Sequence, residues 1–141
     1  MKFLKILLLT AALMGLSQTT LAHEGHDHDA PGMVKAPKGG MIKSLDNIHV
    51  EVVSKGQNVQ IHYYNKELKP VDVSGYPTTA EIELPRTKKK ESITLNKVGQ
   101  NFEYTYDAKN AHRYTLSLAV TDPSIKETVK LTFTIEPRKG K

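Results

Sequence analysis

The feature that most narrows what this chain folds into is the alternation of apolar and polar side chains in seven separate stretches. Ile48, Val50 and Val52 alternate with His49 and Glu51, and Val59, Ile61 and Tyr63 alternate with Gln60 and His62. The same period of two recurs in Ala80-Ile82-Leu84, Ile93-Leu95, Phe102-Tyr104-Tyr106, Tyr114-Leu116-Leu118-Val120 and Val129-Leu131-Phe133-Ile135. Alternate residues of an extended chain point to opposite sides, so each stretch reads as a half-buried β-strand. Turn signals separate them at Lys55-Gly56, Val98-Gly99, Asp107-Ala108-Lys109-Asn110 and Thr121-Asp122-Pro123-Ser124. Seven short strands punctuated in this way predict an all-β chain, an immunoglobulin-like antiparallel β-sandwich of about seven strands. Ile48, Val50, Val59, Ile61, Leu116, Leu118, Leu131 and Phe133 are its expected core. The longer connection from Asn65 to Thr78, with Pro70, Gly75 and Pro77, is where the chain is expected to cross between sheets.

The alternation also suggests a register for the first hairpin. With Val52 opposite Val59, Val50 meets Ile61 and Ile48 meets Tyr63, so apolar side chains face one another, and a one-residue slip would put half of them in water. This register sets His49 opposite His62 and Glu51 opposite Gln60 on the outer face. Directly opposed Cβ atoms lie about 4.5 to 5.5 Å apart, close enough for two imidazoles to share one metal ion. Two solvated histidines that happen to pair are the plainer alternative, since a stable zinc site usually takes about three or four protein ligands.

Ahead of the strands, residues 1–22 have the layout of a secretory leader. Lys2 and Lys5 make a basic start, Ile6 to Leu16 form an apolar segment, and Thr20-Leu21-Ala22 ends on a small residue fit for cleavage. The apolar segment is shorter than the roughly 20 residues a spanning helix needs, so no lasting membrane anchor is expected after cleavage. The expected location is the periplasm or the medium. Of the 141 residues, 119 then remain, enough for one domain over residues 41–141 and a preceding arm over residues 23–40. Losing Lys2 and Lys5 lowers the net charge from +5 to +3. So mild an excess calls for no nucleic-acid partner. The run Arg86-Thr87-Lys88-Lys89-Lys90 reads as a solvated loop rather than an anion site. The sequence contains no cysteine. Neither a disulfide nor a lipidated cysteine is therefore expected, and stability must come from packing or from bound metal.

The arm carries the clearest chemistry. His23-Glu24-Gly25-His26-Asp27-His28-Asp29 gathers three imidazoles and three carboxylates in seven residues, beside the α-amino group that cleavage would free. Imidazole suits zinc, copper, nickel and cobalt, and carboxylates attract any divalent cation. His23, His26 and His28 are the expected main ligands, with Asp27 and Asp29 as helpers. A segment rich in His, Asp, Gly, Pro and Lys has little to bury and reads as flexible. Closing such a segment round an ion spends chain entropy, which favours modest affinity and reversible exchange. A polar spacer with incidental histidines is the competing reading. The third mature residue is Gly25, so the amino-terminal copper and nickel motif, which needs histidine there, is absent. A brace in which His23 chelates copper through its ring and its own amino group is a further alternative.

Read together, Gly25-His26-Asp27-His28, Ala36-Pro37-Lys38-Gly39-Gly40-Met41-Ile42 and Val50-Glu51-Val52-Val53 resemble the amino-terminal periplasmic domain of cobalt-zinc-cadmium type heavy-metal efflux adaptors. The resemblance covers residues 23–65 and continues beyond them only as pattern. It implies a histidine-rich start on a small β-sandwich working beside a periplasmic efflux adaptor or pump. The sandwich leaves no room for the adaptor's helical hairpin, lipoyl-like domain or barrel, so a free-standing version of the domain is expected, without adaptor activity.

Enzymatic readings find little support. No cysteine is present to act as a nucleophile, and serines such as Ser44, Ser54 and Ser117 stand in strands or turns without a nucleophile motif. The carboxylates form no pair that spacing would set in a cleft. The expected function is a non-enzymatic periplasmic buffer or carrier of divalent metal ions. The alternative from another class is a structural module whose sandwich docks a membrane or efflux complex, with the arm as tether.

Overall fold

The computed structural model describes residues 34–137. Ten strands follow in chain order: β1 (Met41–Ser44), β2 (His49–Lys55), β3 (Asn58–Tyr64), β4 (Pro70–Val71), β5 (Thr78–Glu83), β6 (Lys90–Ile93), β7 (Asn96–Val98), β8 (Asn101–Thr105), β9 (Tyr114–Asp122) and β10 (Glu127–Ile135). A single 3-10 turn at Val73–Gly75 lies between β4 and β5. All pairings are antiparallel. One sheet runs β1-β2-β3-β8-β7, with β4 also paired to β3, and the other runs β10-β9-β5-β6. The seven stretches of alternating residues fall on β2, β3, β5, β6, β8, β9 and β10. The sequence reading omitted β1, β4 and β7, each at most four residues long. The strands β4 and β7 are too short to show a period of two, and β1, no shorter than β6, is a largely exposed edge strand that buries no face.

The core lies between the sheets. Ile48, Val50, Val59 and Ile61 from one side join Leu116, Leu118, Leu131 and Phe133 from the other in a single buried cluster, as the alternation requires. Along β9 buried and half-buried positions alternate without a break from Tyr114 to Asp122. The phenols that reach this layer are paired. Tyr63 Oη lies 2.6 Å from Thr78 Oγ1, and Tyr104 Oη lies 2.9 Å from Tyr114 Oη. Burial pushes the Tyr63 hydroxyl up to about 12, so it stays protonated.

The first hairpin differs from the register expected above. Val52 pairs with Ile61, Val50 with Tyr63 and Ser54 with Val59, a slip of two residues. His49 therefore meets Tyr64, and His62 meets Glu51. The cause is the turn. Setting Val52 against Val59 would centre a two-residue turn on Lys55-Gly56, whereas the chain turns on Gly56-Gln57, between the paired Lys55 and Asn58. Gly56 takes the first central position with φ +61°, where a residue without Cβ is unstrained. Moving the turn by one residue moves the register by two, which keeps every side chain on its own face. Hydrophobic matching is blind to that slip.

Leu118 is fully buried. Leu118→Ala should lower the unfolding free energy by about 2 to 5 kcal/mol, measured by urea denaturation, and a loss below about 0.5 kcal/mol would contradict its place in the core.

Candidate functional site

Glu51 stands between two core valines on β2 and points away from the core, where a carboxylate ordinarily meets water. It is nevertheless completely buried. The segment before β1 folds over it. Ala36-Pro37-Lys38-Gly39 makes a turn closed by the Gly39 amide donating to the Ala36 carbonyl at 3.1 Å. Pro37 suits the first central position of such a turn, and Gly39, at φ +73°, suits the left-handed position that follows. The turn aims two backbone donors at the carboxylate. The Lys38 amide lies 3.0 and 3.2 Å from the two oxygens, and the Gly40 amide donates to Oε1 at 2.8 Å. Tyr64, on the neighbouring strand, donates its hydroxyl to Oε2 at 2.9 Å. Burial, then the bond to Glu51 and its charge, raise the Tyr64 hydroxyl far above its ordinary value, which keeps it a donor.

Gly40 admits no other residue without a shift of the chain, because an added Cβ would stand 2.4 Å from the Val52 carbonyl oxygen. These contacts shorten the arm assigned to residues 23–40. Residues 36–40 are built into the sandwich, and composition misses this because the anchoring atoms are backbone N–H groups, which every sequence has. A pair of glycines immediately before a strand was the available signal, since glycine permits close backbone approach.

His62 lies directly opposite Glu51 and is 5% exposed. Its ring stacks on Tyr64 with centroids 6.4 Å apart. Its Nε2 is 3.3 Å from Gln60 Oε1, and the Gln60 amide donates to Glu103 at 3.0 Å. Burial lowers its pKa below 6.5. The nearby Lys38 charge acts in the same direction, while a hydrogen bond to Asn101 and the charges of Glu51 and Glu103 oppose it. His62 is thus a neutral imidazole enclosed by partners.

His49 is more open. Its Nδ1 lies 2.7 Å from Ser44 Oγ. When Ser44 accepts from Nδ1–H, the lone pair of Nε2 is left for an outside partner, the tautomer a metal would select. The two histidines expected to face each other are therefore brought to one sheet face but not opposed, and Tyr64 and Glu51 occupy the positions across from them. Among the described residues no three or more His, Asp or Glu side chains are arranged to hold a metal ion. His23, His26, Asp27, His28 and Asp29 lie outside the described residues. No family model, curated protein or solved structure matches the chain.

Two outcomes follow from this geometry. Glu51→Gln, which loses the charge and one acceptor, should destabilise the fold by about 1 to 3 kcal/mol and speed hydrogen exchange at the Lys38 and Gly40 amides. Unchanged protection of those two amides would contradict the anchoring. For His62, the folded-state pKa lies below the unfolded value, so the unfolded chain takes up the proton first. The stability it supplies is complete above about pH 6.5 and is lost as pH falls through the lower folded-state value. In His62→Gln the urea midpoint should therefore fall less than in the parent protein between about pH 7 and pH 5.

Proposed function

We propose that this protein is a periplasmic carrier or buffer of divalent metal ions, in which a histidine-rich arm binds Zn²⁺, Cu²⁺, Ni²⁺ or Co²⁺ and an immunoglobulin-like sandwich holds the arm. The observation that carries the reading is the cluster His23-Glu24-Gly25-His26-Asp27-His28-Asp29, which leader cleavage after Ala22 would put at the mature terminus. Imidazoles and carboxylates at that density suit a borderline cation and little else.

The sandwich contributes an attachment point. Two backbone amides, of Lys38 and Gly40, hold the chain to Glu51 a few residues beyond the cluster.

The immunoglobulin-like assignment draws on the strand order. The path β2-β3-β8-β7 against β10-β9-β5-β6 follows the A-B-E-D and G-F-C order of that sandwich, with β6 as an added edge strand. The motifs shared with heavy-metal efflux adaptors make an efflux system the recipient of the ion. Catalysis is not part of the reading, because the histidines and carboxylates on the sheet are either enclosed or lack a cleft.

Calorimetric titration with Zn²⁺ and Cu²⁺ tests it. Replacing His23, His26 and His28 with alanine should remove most binding and leave the unfolding midpoint unchanged. In the parent protein affinity should fall steeply from about pH 7 to pH 5, because imidazole must be neutral to bind. Unchanged affinity in the triple variant would make the arm a spacer and send the search to His49.

A further inference from the structure

The second concentration of charge lies at one end of the sandwich, in the loops from β5 to β6 and from β8 to β9. They enclose a cleft of about 440 Å³. That is within the range of roughly 300 to 1,000 Å³ in which small-molecule sites fall. Its floor is apolar, from Leu84, Pro85, Ala108 and Ala111. Its rim carries Arg86, Lys109, His112 and Arg113, and no carboxylate lines it. Among the described residues the one ion pair joins Lys97 to Asp72, and no described carboxylate lies within ion-pair distance of Arg86, Lys109 or Arg113. Three like charges round one cleft repel one another unless something negative comes between them.

The backbone adds an independent sign. Lys88, Lys109 and Asn110 all have φ between +46° and +68°, a left-handed conformation uncommon for residues other than glycine. Three of the five such residues among those described thus fall in these two loops. Residues held in sparsely populated backbone regions concentrate at ligand clamps. An adjoining cleft is lined by Glu91 and Asp107 as well as lysines, so its charges offset one another and it offers an anion less.

From this geometry we propose that the cleft between residues 84–87 and 108–113 binds a small phosphate monoester with an apolar body. The dianionic head sits between Arg86 and Arg113, and the body rests on Leu84 and Ala108. The guanidinium fork matches phosphate oxygens two at a time, which a lysine cannot do. Lys109 and His112 supply further N–H donors to a head bearing up to two negative charges. The basic run that reads as a solvated loop thus forms one wall of a site whose other wall lies about 25 residues along the chain.

Phenyl phosphate is the probe, titrated into the purified full chain and followed by the shifts of backbone amide resonances. Saturable shifts confined to residues 84–87 and 108–113 are expected, with affinity at least about ten-fold above that for inorganic phosphate, which lacks the apolar body. Arg86→Gln with Arg113→Gln should weaken phenyl phosphate by about ten-fold or more, and Lys130→Gln, remote from the cleft, should leave it unchanged. All three side chains are exposed, so the thermal midpoint should hold in each variant. Shifts that never saturate and spread over all surface lysines would overturn the proposal, as would equal affinity in the double arginine variant. Vesicles containing phosphatidylglycerol supply the last arm: binding to them through the same arginines, without saturable phenyl phosphate binding, would replace the pocket with a membrane-facing charge patch and overturn it too.

Discussion

Burial of the facing sides of two antiparallel sheets is the constraint on which the other features depend, because it commits half of every strand to the interior and leaves the other half to be dealt with separately. Val50, Val59, Leu116 and Leu118 have no exposure at all, and each fully buried aliphatic side chain of this kind is worth about 1.5 to 3 kcal/mol. That gain orients β2 and β3 and thereby turns Glu51, His62 and Tyr64 away from the core. What covers them has no need to be apolar. It must supply hydrogen bonds, and a turn of Pro, Lys and Gly supplies them from its backbone.

A buried carboxylate is tolerated only when its oxygens are satisfied, and Glu51 meets that condition with two amides and a phenol. The two ionisable side chains nearest it across the strand pair, Tyr64 and His62, add no charge of their own. Tyr64 is held protonated by burial and by Glu51, and His62 is held neutral by its own desolvation. The polar patch works as one unit, and its effect reaches beyond stability, because it fixes residues 38–40 against β2.

Charge placement sets the cleft between residues 84–87 and 108–113 apart from the rest of the described surface. Lys97 and Asp72 form an ordinary exposed pair, each side chain 43% exposed, of a kind that contributes little. Asp122 at the end of β9 is also matched, by the Asn47 side chain at 3.0 Å and by the Ser124 amide and hydroxyl, which hold its carboxyl below the usual range. Arg86, Lys109 and Arg113, in the loops after β5 and β8, have no ion-pair partner among the described residues and stand over an apolar floor. A net charge of +5 conceals this contrast, since it averages paired and unpaired groups alike.

Much of the fold is legible in the sequence, because a side-chain period of two is a direct imprint of one-sided burial, and it marks seven of the ten strands and the core residues Ile48 to Phe133. The histidine cluster is legible for a similar reason, since ligand chemistry resides in residue type and local density. The strands β4 and β7 are too short to carry a period, and β1 is a largely exposed edge strand with no buried face to print one. The two-residue shift between β2 and β3 is invisible to it, because alternation repeats every second residue and only the left-handed glycine at position 56 decides where the turn closes. The burial of Glu51 and the cleft between residues 84–87 and 108–113 belong to tertiary structure alone. Both bring together segments separated in the chain, through backbone amides or through the gathering of like charges in two loops, and neither of those leaves a pattern in the order of side chains.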